Sequence, residues 1–187
     1  CNSSFISARE AGIDVTHVDD HMGVWSHPRY APHYTQFCLR HRMPPRAILR
    51  QVQDAERRLS LSKPGAVESA QGEGENAWER AYAEAAQQFL AGGLPLFDRI
   101  GGLPLDDHDS HEERILRFAA DLPPGGLGLI IAHPSLDTPE LRAIAPDWRG
   151  RVANHRAFAS RAVKQALLGK GIKLVGFREL KEVSGEK

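Results

Sequence analysis

A mainly parallel α/β fold, part of a (β/α) barrel, is what this sequence predicts, and three observations predict it. Apolar runs of strand length alternate with helical patterns along all 187 residues. The intervening segments are long enough for a crossover between parallel strands, which takes about a dozen residues. Polar residues suited to chemistry follow several of the apolar runs, where parallel α/β folds place their working side chains.

The elements follow in order. Residues 5–12 read as the last turns of a helix closed by the glycine cap Gly12. They lead into a predicted strand over 13–19. Further strands are expected at the apolar runs 47–49, 94–97, 128–132 and 173–176. Helical periodicity covers 30–42, 52–61, 77–90, 112–122, 141–145 and 152–168. In the last of these, Val152, Phe158, Ala162, Val163 and Leu167 gather mostly on one face, with Arg156, Arg161 and Lys164 on the others. Residues 62–76, with Gly65, Gly72 and Gly74, read as a flexible polar loop.

The whole of 1–187 is expected to be a single domain. It opens on Cys1 inside a helix and feeds directly into a strand, so the expectation is the C-terminal portion of a longer protein, with N-terminal strands missing. An exposed sheet edge left by missing strands would favour a homo-oligomer. Basic and acidic residues balance at 24 each, and no basic stripe interleaves with aromatics, which argues against nucleic acid. No apolar run reaches the ~18 residues of a membrane span. Two cysteines fit a reducing, cytoplasmic compartment better than a disulfide framework.

The most informative segment is Thr16, His17, Val18, Asp19, Asp20, His21. On a strand, side chains alternate faces, so His17, Asp19 and His21 share one. Two imidazoles flanking a carboxylate suit a metal site and its supporting shell; the same pattern also fits a polar strand end meeting solvent. By position after apolar runs, Asp98, His133 and Arg178 join His21 as candidates, and Arg46 lies beside the short run 47–49. His133, delivered by the run 128–132 and followed by Pro134, suits a proton donor because imidazole titrates near working pH. Trp25 and Tyr30 offer rings for a sugar or for packing. Arg149 or Arg151 offers a cation to an anionic or sugar substrate. His108, Asp109 and His111 read as a polar loop with Asp109 or Ser110 capping the next helix.

Together these residues resemble a known family. The element from Thr16 to His21 is similar to the Thr-His-x-Asp-Ser-His element of the YdjC-like carbohydrate deacetylases. Ala132, His133 and Pro134 resemble their later Cys-His-Pro element. Residues 137–151 and 171–179 resemble the C-terminal part of that family, whereas 51–93 match weakly. The resemblance implies a deformed (β/α) barrel of the polysaccharide-deacetylase-like type. It implies metal-dependent removal of N-acetyl groups from an amino sugar or oligosaccharide. His21 would bind a divalent ion, magnesium or zinc, Asp19 would support it, and His133 would act as the general acid or transition-state partner. Arg46 would bind substrate or hold a catalytic carboxylate. Asp20 departs from the family's small hydroxyl residue, and its early Asp-Asp-Phe-Gly and Gly-Leu-His elements are absent from 1–187. The alternative is a non-catalytic, truncated remnant that binds a sugar or a protein; a metal-dependent phosphoesterase or amidohydrolase on a similar barrel is a third reading.

Overall fold

The computed structural model describes residues 2–19, 23–49 and 73–185. The expected helix 52–61 and loop residues 62–72 lie outside the described residues, as do Asp20, His21 and Met22. The chain is a mixed helix and strand protein that divides into two compact units. One comprises Cys1–Phe97 and Val175–Lys187, the other Asp98–Leu174. Among the described residues, no helix is long and apolar enough to cross a membrane.

The first unit contains helices α1 (Asn2–Glu10), α2 (Ala31–His41) and α3 (Glu73–Ala91), with a 3-10 turn at Val24–Ser26. Helix α3 starts at Glu73, which takes four residues from the end of the expected loop. Buried Ala31, Tyr34, Phe37 and Cys38 on α2 recur at helical spacing. They meet Ala85, Ala86 and Phe89 of α3, and Phe5 and Trp25 join the same core. Burial pushes the Cys38 thiol up to about 12, so at neutral pH it is an apolar filler. Gly92 lets α2 approach the end of α3. A Cβ there would lie 2.3 Å from Leu39 Cδ2.

The predicted strand 13–19 is not one among the described residues. Val15 and Val18 pack against the core, but Ile13 is 58% exposed, and no described strand pairs with the segment. An apolar run becomes a strand only where a partner satisfies its backbone. The predicted strands 47–49 and 94–97 shrink to one parallel bridge. In it the Leu49 N–H donates to Phe97 O and the Phe97 N–H to Ala47 O, at 2.8 and 2.9 Å.

The second unit carries a parallel pair, β1 (Arg99–Gly102) and β2 (Gly128–Ile131), in register from Arg99 opposite Gly128 to Gly102 opposite Ile131. Helix α4 (His111–Ala120) connects them. Its Phe118 lies so close to the strands that a Cβ at Gly101 or Gly128 would come within 2.8 Å of the ring. Three further helices follow: α5 (Pro139–Ile144), α6 (Trp148–Ala159) and α7 (Arg161–Gly169). Leu103, Ile115, Ala119, Ala157, Val163 and Leu167 form the core.

The expected single helix 152–168 is two helices. At Ser160 the backbone turns extended, and its hydroxyl accepts from the Val163 N–H at 3.3 Å. This is N-cap chemistry, so α7 starts afresh at that point. The expected strand 173–176 is also absent. Leu174 is 59% exposed, and helix α8 (Phe177–Gly185), in the first unit, follows it.

Candidate functional site

The first candidate cluster lies in the first unit. Asp19 lies in the irregular segment 13–19, and its carboxylate accepts from Arg46 Nη1 at 2.8 Å. Arg46 follows Pro44 and Pro45, both fully buried, so fixed φ angles and packing hold its backbone. Its N–H donates to the Tyr34 hydroxyl at 3.2 Å. Gly23, at φ +74°, turns the chain beside the guanidinium, and a Cβ there would lie 3.8 Å from Arg46 Nη2. With a side chain only 18% exposed, Arg46 is the ordered member of the pair and Asp19, at 60%, the accessible one. The structure thus brings together two residues 27 positions apart that the sequence offered separately.

His17 stacks on Phe177, with ring centroids 3.9 Å apart and planes 9° from parallel. Burial of the imidazole lowers its pKa, and the Asp19 charge opposes this in part. The neutral ring is the form that can ligate a metal. Thr16 Oγ1 lies 3.1 Å from His17 Nδ1, within hydrogen-bond reach.

The structure places three further candidates, two of them in this unit. Trp25 is 4% exposed and packs with Tyr34, Tyr82 and Phe89. Its ring is core material and does not offer a face to a sugar. Arg178 is engaged with Asp14, which also accepts from Lys181 at 3.2 Å. Asp98, in the second unit, accepts from the Leu127 N–H at 2.8 Å and so clamps the entry to β2.

His133 is exposed just past β2 in the second unit. Its backbone N–H donates to Asn154 Oδ1 at 2.9 Å. Asn154 is fully buried on α6, and its Nδ2 donates to Gly150 O at 2.9 Å. The same Nδ2 lies 3.3 Å from His111 Nδ1, while His111 Nε2 lies 3.0 Å from Pro104 O. A carbonyl only accepts, so the proton sits on Nε2 and Nδ1 accepts from Asn154. His111 is therefore a buried strut and not a loop residue. Ser110 takes the N-cap position, but its hydroxyl bonds to Asp107, leaving no side-chain cap.

Neither Asn154 nor His111 was legible as a support for His133. The only hints were an Asn inside one helical pattern and a His just ahead of another. Asn154→Ala would remove the side-chain partner of the buried His111 Nδ1 and of the His133 N–H. At ~1–3 kcal/mol for each unsatisfied group, a loss of about 3 kcal/mol is expected after partial relaxation. Urea unfolding measures it, and a change under about 0.5 kcal/mol, the level of an ordinary surface substitution, would contradict this strut.

Beside His133, the Asp147 carboxylate takes both Nε and Nη2 of Arg151 at 2.8 and 2.9 Å. Those bonds hold its carboxyl below the usual range, and His133 adds to the effect. Arg149 lies over Trp148 with 4.5 Å from guanidinium carbon to ring centroid, and Arg142 lies over it at 4.8 Å. Arg149 thus presents its charge from a platform on α6.

Among the described residues, no three His, Cys, Asp or Glu side chains form a metal-binding group. The donor chemistry at 17 and 19 nevertheless fits a divalent ion: an imidazole favoured in its neutral form and an accessible carboxylate oriented by an arginine. His21, the predicted ligand, lies outside the described residues. A model of the YdjC-like protein family matches residues 5–168. No curated protein matches the chain.

Proposed function

This chain belongs to the YdjC-like protein family, a carbohydrate deacetylase-related group, and on that premise we propose that it acts as a metal-dependent carbohydrate N-deacetylase on a (β/α)-barrel scaffold. The substrate class is an N-acetylated amino sugar or oligosaccharide. What supports the reading is the Asp19–Arg46 pair, whose Asp19 lies in the element that resembles the family's Thr-His-x-Asp-Ser-His signature.

In this reading His21 and Asp19 hold a divalent ion, zinc or magnesium. Such an ion, when bound, supplies Lewis acidity toward an acyl carbonyl and lowers the pKa of a bound water. Arg46 fixes the Asp19 carboxylate by donating from Nη1. Hydrolysis adds water across the C–N bond and yields acetate and a free amine. The departing nitrogen needs a proton, and the His133 imidazole is the group assigned to give it. Asn154 positions the His133 backbone. Arg149 binds sugar hydroxyls or an anionic substituent.

Incubating the zinc- or magnesium-loaded protein with N-acetylglucosamine oligomers tests the proposal. Acetate should appear in equal amount to new amine. Calorimetric binding of the oligomers with no acetate from either metal form would replace the enzyme with a sugar-binding module. Changes to groups that merely support a ligand cost about 10–100-fold in metal affinity, so His21→Ala should cost at least as much. Elemental analysis after dialysis reads this directly, and full metal retention would remove His21 from the ligand set.

A further inference from the structure

We infer that a basic cavity in the first unit, separate from the Asp19–Arg46 pair, binds a small dianionic oxyanion, either a free phosphate or the phosphoryl end of an ester. The cavity measures about 530 Å³, within the ~300–1,000 Å³ of small-molecule sites. It is larger than a lone oxyanion requires, which leaves room for the rest of an ester. Arg9, Arg40, Arg42 and Lys181 line it with His41, and Asp14 is the one carboxylate in the lining. None of these residues belongs to the candidate cluster around Asp19.

The charge in this cavity is poorly compensated. Asp14 is already shared between Arg178 and Lys181. Among the described residues, neither Arg9 nor Arg40 has a carboxylate partner. Arg42 donates to two backbone carbonyls, Gly92 O at 2.6 Å and Ser184 O, and so keeps its full charge. It does so from a left-handed backbone, φ 54°, the one non-glycine residue with positive φ among the described residues. Arg42 is the C-cap of α2, its N–H donating to Cys38 O, and this helix end places the guanidinium at the cavity. The His41 imidazole titrates below its usual value, through burial first and then through the positive charges of Arg40 and Arg9.

The ordinary explanation for basic residues here is the helix dipole, since Arg9 ends α1 while Arg40 and His41 end α2. Magnitudes decide against it as the full account. Each helix end carries about half a negative charge, so the two ends together offset about one. Four cations against Asp14 and those ends leave an excess of about two positive charges. A dianion completes that balance. Phe5, Val15 and Met43 supply an apolar wall, which strengthens charge interactions beside it.

The test is calorimetric titration of the metal-free chain with inorganic phosphate and with phenyl phosphate, against chloride at matched ionic strength. Removing metal separates this site from the deacetylase reading, which stands or falls on acetate release. Binding in the millimolar range or tighter is expected for at least one probe, and the probe that binds identifies the source. Charge-assisted contacts carry most of such affinity, so Arg9→Ala combined with Arg40→Ala should weaken it about tenfold or more. Asp14→Asn should act in the opposite direction and tighten binding severalfold. All three changes are at exposed positions, and unchanged circular dichroism verifies their folding. No heat beyond the chloride control, or equal affinity in the parent and both variants, overturns the inference.

Discussion

His133→Ala is expected to lose about 10²–10⁴-fold in turnover, the usual worth of a positioned general acid. That corresponds to about 3–5 kcal/mol of barrier. The fold around it should persist, because the bond from residue 133 to Asn154 uses the backbone N–H, which alanine retains. Metal content should also persist, since the assigned ligands lie elsewhere in the sequence. The combination separates a proton donor from a structural residue: acetate release collapses while elemental analysis and thermal unfolding match the parent. Turnover within threefold of the parent would strip His133 of the role. A loss of metal along with the rate would instead mark it as a ligand.

Gly150→Ala is expected to be the most damaging single methyl group in the second unit. A Cβ at Gly150 would lie 2.1 Å from Leu105 O and 2.5 Å from Leu105 Cα. Both are backbone atoms, so no rotamer change relieves the clash, and α6 must move away from the segment around Leu105. Overpacking typically costs ~1–3 kcal/mol, and a backbone-to-backbone clash belongs at or above the top of that range. Alanine's better helix propensity returns only about 1 kcal/mol. The shift would also displace Gly150 O, which accepts from Asn154, and so loosen the strut behind His133. A net loss of about 3 kcal/mol translates into a melting point roughly 6–12 °C lower for a chain of this size. Gly169→Ala is the control, because a Cβ there meets nothing within 4 Å. Equal melting points for the two variants would show that the approach of α6 to Leu105 is not tight in solution.

Much of the fold was legible where a local pattern settles the outcome. Helix α2 was expected over 30–42 and runs Ala31–His41. Strand β2 was expected over 128–132 and runs Gly128–Ile131. A continuous apolar run bounded by Gly128 and Pro134 has few alternatives, and buried residues at helical spacing have few as well. Segments 13–19 and 173–176 were misread for one shared reason. β-structure requires a partner, and composition does not say whether one is present. The break at Ser160 escaped because the amphipathic pattern runs through it. Only the turn to extended backbone lets the hydroxyl cap α7.

The candidate site divides along the same line. Asp19, Arg46 and His133 were each visible as polar residues at or beside the ends of apolar runs. Trp25, a ring suited to a sugar or to packing, is core, because burial depends on what α2 and α3 bring against it. The strut of His111 and Asn154 was invisible, since two polar residues 43 positions apart carry no mutual signal until packing closes the distance. The same holds for the basic cavity, whose lining runs from Phe5 to Lys181.

By itself the sequence determined the family, helices α2 to α5 to within a few residues and the residue types available for chemistry, because those depend on local pattern and on side-chain identity. Tertiary structure alone decided which of those residues are buried, which are paired and where positive charge accumulates. These are properties of distance, and contacts between residues far apart along the chain exist only after folding has met the entropic cost of bringing them together.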